Sequence, residues 1–414
     1  MFRRMRNLGQ AFLLVTFAAA IIFLCGWRDA QPAPLHSPSP VVAQDDPRNI
    51  QEDMGANMLP MPVFDSQQEA VPLDPRENDL LYRPPLDVAF IFTHARDNWP
   101  LQNQLRVAAG SLLARSSAPL RLHLITDEDG FHAATKIINE VQASDQLDSR
   151  HIKPRVHKFL ELLHSCTAMA WLRGKESIPP ADVDADELTL VVPTDDFIPE
   201  IKASVTTLQE FFTRRANAYY RKALFFFSLH LHRLLPGLER VILMDIDIKV
   251  KGDVAELHSH FERFTPSNVI GMTPEQSPVY RHLLSVYRRH HPNTTLGGPP
   301  SEGGFPGYNS GVVLIDINKL RDSQIIKSYL ERSKLEERTK HYSFQGHLGD
   351  QDLYTLIALD HPDLFYSLPC GWNRQLCDWW RNHGYQDVFD LYFNCSEELK
   401  VIHGNCKTPI PDNL

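Results

Sequence analysis

Apolar residues along this chain gather in short runs that stop abruptly at polar ones, with helical stripes between them. Leu86-Asp-Val-Ala-Phe-Ile-Phe92 reads as a buried strand that ends at Thr93-His94. Leu101, Leu105, Ala108, Leu112 and Leu113 then recur at helical spacing. Leu120 to Ile125 alternates and stops at Thr126-Asp127, so strand, helix and strand form a βαβ unit and the sheet begins parallel. The pattern continues with a helix from Tyr219 to Leu235, closed by Pro236-Gly237, and a very apolar strand, Val241 to Met244. Further on, Gly303-Gly-Phe-Pro-Gly307 reads as a loop running through Tyr308-Asn-Ser-Gly311 into a strand, Val312 to Ile317. A helical stretch to about Thr339 and a helix that begins in the last residues of Gly346-His-Leu-Gly-Asp-Gln-Asp352 and runs through Leu359 complete an α/β fold with a mostly parallel central sheet.

The strand Val241 to Met244 delivers Asp245 and Asp247 to the carboxyl edge, where open α/β sheets bind ligands. In an ideal strand the two side chains would point to opposite faces. Both serve one site only if the chain turns, and Lys249-Val-Lys-Gly252 is expected to supply that turn. Two hard carboxylate oxygens suit a divalent cation that also holds phosphate oxygens. A second acidic cluster, Asp182-Val-Asp-Ala-Asp186, has no apolar strand leading into it and lacks the glycine and glutamate of a calcium loop, so it reads as solvated surface.

The N-terminus changes the picture of where this domain works. Arg3, Arg4 and Arg6 precede an uncharged, apolar run from Leu8 to Trp27, long enough to span a bilayer. No cleavage site stands out, so residues 8–27 read as an uncleaved signal-anchor, with 1–7 cytoplasmic and the remainder lumenal, a cleaved signal peptide being the alternative. Residues 28–80, rich in Pro, Gln, Asp and Ser, read as an extended stem, which leaves 81–414 as the catalytic domain. The net charge of −9 argues against a nucleic-acid partner, because phosphate contacts need clustered Lys and Arg. In an oxidising lumen Cys370, Cys377, Cys395 and Cys406 read as two disulfides, with three pairings open. The sequon at Asn293 agrees with lumenal exposure.

Polar clusters sit at the ends of apolar runs or the starts of helices: Asp245/Asp247, Asn309-Ser310, Asp350-Gln351 and, after Val401-Ile402, the single His403. Each has a bland reading as turn former, helix cap or satisfied histidine. Together they offer two carboxylates and an imidazole for a metal, plus amide and carboxylate groups for a sugar.

Their order also resembles a known family. The words around Asp245-Ile-Asp247, Tyr308-Asn-Ser-Gly311, Gly349-Asp-Gln-Asp352 and His403-Gly-Asn405 are similar to those of the family-8 retaining glycosyltransferases, the glycogenin-like group with a GT-A fold. Pro278 to His282, Gly297-Gly-Pro-Pro300, Trp372 to Cys377, Trp379-Trp380 and Thr408 to Pro411 bring the match closer to its xyloside-directed xylosyltransferases. The resemblance runs from about Leu86 to the end. Relatives end in a longer H-x-x-G-x-x-K-P-W pattern, whereas Lys407 here follows His403 by four residues, and the stretch Cys166 to Asp186 looks inserted.

The resemblance implies a metal site of Asp245, Asp247 and His403 for Mn²⁺, nitrogen among the ligands favouring manganese over magnesium. It implies nucleotide contacts from Thr93, Arg221 and Asp245, diphosphate contacts from Gly404 and Asn405, and a donor-sugar site of Asn309, Asp350 and Gln351. The implied donor is UDP-xylose. The implied acceptor is xylosyl-glucose O-linked to serine of EGF-like repeats, as in Notch, extended by an α-1,3-linked xylose in the endoplasmic reticulum, with the Golgi as the alternative compartment. Two other readings are a glucoside xylosyltransferase adding the first xylose and a silent lumenal glycan-binding relative.

Overall fold

The computed structural model describes residues 84–143, 155–157, 187–191, 199–213 and 223–413, all within the compact unit Pro72–Leu414. The expected tail, membrane span and stem, Arg221, and the stretch Cys166 to Asp186 lie outside the described residues. No helix among the described residues is long and apolar enough to cross a membrane.

The main sheet has eight strands: β1 (Leu86–Phe92), β2 (Leu120–Thr126), β3 (Arg155–His157), β4 (Glu187–Val191), β5 (Arg240–Met244), β7 (Ile270–Pro274), β8 (Tyr308–Asp316) and β9 (Phe365–Ser367). Their order is β3-β4-β2-β1-β5-β8-β7-β9. Every neighbouring pair is parallel except the two made by β8, which runs antiparallel to β5 and β7. A second, three-stranded sheet, β10-β11-β6, joins β6 (Ile248–Val250), β10 (Arg374–Gln375) and β11 (Val401–His403).

The main sheet is apolar on both faces, which explains why β1, β5 and β8 carry continuous rather than alternating apolar runs. Val88, Phe90, Ile242, Met244, Val312 and Leu314 pack on one face with the helix Trp99–Arg115, through Leu105, Ala108, Leu112 and Leu113. Ala89, Val241, Leu243, Val313 and Ile315 pack on the other, with Val205 and Leu208 of the helix Pro199–Phe212 and Leu353, Leu356 and Ile357 of the helix Asp350–Asp360. Each Val, Leu, Ile, Phe or Met among them contributes roughly 1.5–3 kcal/mol relative to exposure.

Three expectations need correcting. The strand after the glycine loop begins at Tyr308, so Asn309 and Ser310 are strand residues. They sit where the β7–β8 register slips between Met272 and Thr273, an irregularity of the kind that re-aims side chains beside functional sites. The segment before the Asp-x-Asp is a tight 3₁₀ helix, Ala223–His230, followed by one α-turn, Leu231–Leu234. The stretch expected as one helix to Thr339 breaks into Ile317–Asp322, Gln324–Ser328 and Arg332–His341, with Asp316 and Ser323 each capping a new start.

Candidate active site

Asp245 to Asp247 is the crossing from one sheet to the other. β5 ends at Met244 and β6 begins at Ile248, so alternation does not apply between the two carboxylates. The turn is therefore at the aspartates themselves. Lys249 and Val250 belong to the strand that follows. The crossing is anchored at both ends, since Asp245 N–H donates to the Gly311 carbonyl at 2.9 Å and Gly404 N–H donates to the Asp247 carbonyl at 2.8 Å.

β11 pairs antiparallel with β6 and sets His403 across from Ile248, one residue past Asp247. The buried His403 ring places Nε2 3.3 Å from Asp247 Oδ1 and 3.6 Å from Asp245 Oδ2. The three ligand atoms lie within 4.8 Å of one another. Ligand atoms in cis positions around a cation with bonds near 2.1 Å stand about 3 Å apart, so the spacing fits a single divalent ion.

The local charges agree. Burial pushes His403 down, but Asp247 and Asp245 outweigh it and hold the imidazole above its ordinary value. For Asp247, burial pushes up while the charge and hydrogen bond of His403 prevail and hold it low. Asp245 is pushed up by burial in the cleft and by the charge of Asp247. With about half of its side chain open to solvent, the neighbouring charge is the weightier cause.

Gly311 makes the ring's position possible, because a Cβ there would stand 2.3 Å from His403 Cε1 and 2.4 Å from Nδ1. A chain of buried amides runs on from the ring. His403 Nδ1 meets Asn373 Oδ1 at 2.9 Å, Asn373 Nδ2 donates to Asn309 Oδ1 at 2.8 Å, and Asn309 Nδ2 donates to Glu275 Oε2 at 3.0 Å. Gln351 joins the same carboxylate oxygen through Nε2 at 3.2 Å and accepts from the Ser310 backbone N–H at 3.3 Å. Asp350 accepts from the hydroxyls of Ser228 and Ser310, and burial pushes its carboxyl up to about 6.

The structure thus brings Asp245, Asp247, His403, Asn309, Asp350 and Gln351 to one edge. Thr93 follows β1, the strand beside β5, with its hydroxyl 3.0 Å from His94 Nδ1. Gly404 and Asn405 continue from His403. The Asn405 side-chain oxygen is engaged by the backbone N–H groups of Leu376 and Cys377 at 3.0 and 2.9 Å, so it braces the loop behind the metal site. Two disulfides staple that loop, Cys370–Cys395 and Cys377–Cys406. Trp372 is buried and donates from its indole to His260 at 3.1 Å, so its role is packing. Trp379 is half-exposed, stacked on His383.

Sequence reasoning missed Glu275 and Asn373. For Glu275 a signal existed: it follows the apolar stretch Val269 to Met272, another buried strand ending in an acid. Asn373 had none of its own.

A mostly parallel α/β sheet with an Asp-x-Asp at its switch edge and a histidine returned by the C-terminal segment defines a GT-A-like glycosyltransferase. The family model for glycosyl transferase family 8 matches residues 188–406, more than half of the chain, and the chain belongs to that family. It is 36% identical over 331 residues to xyloside xylosyltransferase 1 of Mus musculus, covering 78% of this chain and 74% of that protein, and 35% identical to the Homo sapiens protein over the same length. The crystal structure of the mouse protein in its apo form matches with a TM-score of 0.64 at 34% identity, covering 79% of this chain and all of that one. Human xylosyl- and glucuronyltransferase LARGE1 is 35% identical over 191 residues, covering 46% of this chain and 22% of its own length.

Proposed function

We propose that this protein is a retaining xylosyltransferase that moves xylose from UDP-xylose, in α-1,3 linkage, onto the xylose of xylosyl-glucose O-linked to serine of EGF-like repeats such as those of Notch. The observation that carries the reading is the Asp245/Asp247/His403 set, within a chain 36% identical over 331 residues to a xyloside xylosyltransferase. An intact three-ligand set also argues against a silent glycan-binding relative, which has no physical need of it.

Asp245, Asp247 and His403 would hold Mn²⁺. When bound, it would supply Lewis-acid stabilisation of the charge that builds on the departing diphosphate. Thr93, Arg221, Asp245, Gly404 and Asn405 are assigned to the nucleotide and diphosphate, and Asn309, Asp350 and Gln351 to the donor sugar. Retention requires the acceptor hydroxyl to attack from the face the diphosphate leaves, and the leaving phosphate then takes the acceptor's proton. No acidic side chain needs to protonate the leaving group, unlike the two-carboxylate glycosidases. Asp350, held between Ser228 and Ser310, is a partner for sugar hydroxyls and not a covalent nucleophile. Gln351 is pinned at both ends of its amide, so its dipole is preorganised beside the anomeric carbon.

We place the catalytic domain in the lumen of the endoplasmic reticulum, tethered as a single-pass type II membrane protein by residues 8–27. Asn293, the sequon asparagine, is exposed as a glycan acceptor must be. The deciding experiment measures UDP release from UDP-xylose and Mn²⁺ with two EGF-repeat acceptors, one bearing glucose and one xylosyl-glucose. Turnover only with xylosyl-glucose is expected. Turnover only with glucose would make the enzyme a glucoside xylosyltransferase, and no release with any UDP-sugar would return the silent reading.

A further inference from the structure

We propose that Asn373 is a positioning residue for the metal site: it fixes His403 in the tautomer that keeps its proton on Nδ1 and leaves the Nε2 lone pair for the cation. This deepens the metal-site reading above and rests on it.

Hydrogen-bond polarity is fixed at one end of the amide chain and propagates along it. The Gly311 backbone N–H is a donor in every state, and it donates to Asn309 Oδ1 at 3.0 Å. That sets the orientation of the Asn309 amide, so its Nδ2 faces Glu275 Oε2, an oxygen on which the Gln351 amide also converges. Asn309 Oδ1 therefore faces Asn373, which must present Nδ2 to it at 2.8 Å. The remaining atom of Asn373, Oδ1, is an acceptor 2.9 Å from His403 Nδ1. Only an Nδ1–H satisfies that contact, and a neutral imidazole has one proton to place.

The arrangement has something to overcome. A neutral histidine side chain in water favours its proton on Nε2, the atom here aimed between Asp247 and Asp245. Without an acceptor behind Nδ1, the ring would present the wrong atom to the cation. Asn373 has no solvent exposure and Asn309 almost none, so water does not substitute for either amide. The same contacts hold the ring plane, as is usual for outer-shell partners of ligating histidines.

The test measures binding of Mn²⁺ alone to the full chain, by loss of the free-ion EPR signal, in the wild type, Asn373→Leu, Asn373→Asp and Asp247→Ala. Leucine has nearly the shape of asparagine but offers no acceptor. Aspartate keeps an oxygen facing Nδ1 and forfeits the amide donor. We expect Asn373→Leu to weaken Mn²⁺ binding roughly 10–100-fold and Asn373→Asp to stay within about threefold of the wild type, with thermal melts confirming that both fold. Equal weakening in the two variants would make position 373 simple packing and overturn the inference, as would an unchanged Asn373→Leu or a loss confined to Asn373→Asp. If the wild type binds no more Mn²⁺ than Asp247→Ala, the metal-site reading itself fails, a result separable from all of these.

Discussion

Replacing Gly311 with alanine probes the geometry of the metal site without touching a ligand. The added Cβ would stand 2.3 Å from His403 Cε1 and 2.4 Å from Nδ1, against an ordinary contact of 3.4–4 Å. Something must therefore yield by about 1 Å. Strand β8 is the stiffer partner: it lies between β5 and β7, its Gly311 carbonyl holds Asp245 N–H, and its Gly311 N–H is tied to Asn309. The ring is expected to move, leaving the position that sets Nε2 3.3 Å from Asp247. Losing that ligand should weaken Mn²⁺ binding by a factor on the order of 100, about 2.7 kcal/mol. The fold should suffer less, because overpacking costs about 1–3 kcal/mol and alanine recovers roughly 0.5–1 kcal/mol over glycine within a strand. Manganese titration followed by EPR, paired with thermal melts, measures both effects. Gly303→Ala is the control, since φ there is +71° and nothing lies within 4 Å of the new atom, so backbone strain is its only effect. Gly311→Ala binding Mn²⁺ within twofold of the wild type would refute the argument.

Gln351→Ala should lower kcat far more than it weakens UDP binding, whereas Asp247→Ala should abolish metal-dependent UDP binding; calorimetry with UDP and Mn²⁺ beside steady-state kinetics separates them, and equal binding losses would contradict the assigned roles. Removing Cys377–Cys406 by a double serine substitution opens a bridge with a sequence separation of 29, for which loop entropy gives roughly 3–4 kcal/mol. Because that bridge braces the segment carrying His403, metal affinity should fall along with the melting temperature, and a melting shift with unchanged affinity would show that the strands alone hold the ring. Asp360 receives hydrogen bonds from Arg338, Tyr329 and Tyr342. Burial would raise its carboxyl, but these bonds outweigh it and hold the group below its ordinary value. A carboxyl depressed on folding contributes stability above its unfolded value near about 3.9, lost as pH falls through the folded value. Urea unfolding should show the wild type losing stability below about pH 4, with Asp360→Asn weaker at neutral pH by about 2 kcal/mol and flatter through the acid range; parallel curves would dismiss the ion pair.

Much of the α/β frame was legible because burial on both faces of a sheet leaves continuous apolar runs. Leu86 to Phe92 was read to the residue, and β2 and β5 to within one at either end. The ligand candidates were legible for a related reason, since an acid or a histidine directly after an apolar strand has little to do in the core. Boundaries failed where tertiary contacts override local pattern, as at Tyr308 to Ser310, which extend β8 because β7 pairs with them across a slipped register.

By itself the sequence determined which residue types stand at strand ends and, through its family words, the class of chemistry. Only the tertiary structure decided that Asp245 and Asp247 share a site, since that depends on β5 and β6 belonging to different sheets. It also decided that His403 meets them, through the antiparallel pairing of β11 with β6, and that the Cys370–Cys395 and Cys377–Cys406 bridges hold that pairing's loop. Asn373 became visible only as a link in a buried chain of amides that ends on the Glu275 carboxylate. Hydrogen-bond polarity is a property of atoms brought together in space, and residues far apart along a chain carry no mark of which neighbours they will orient.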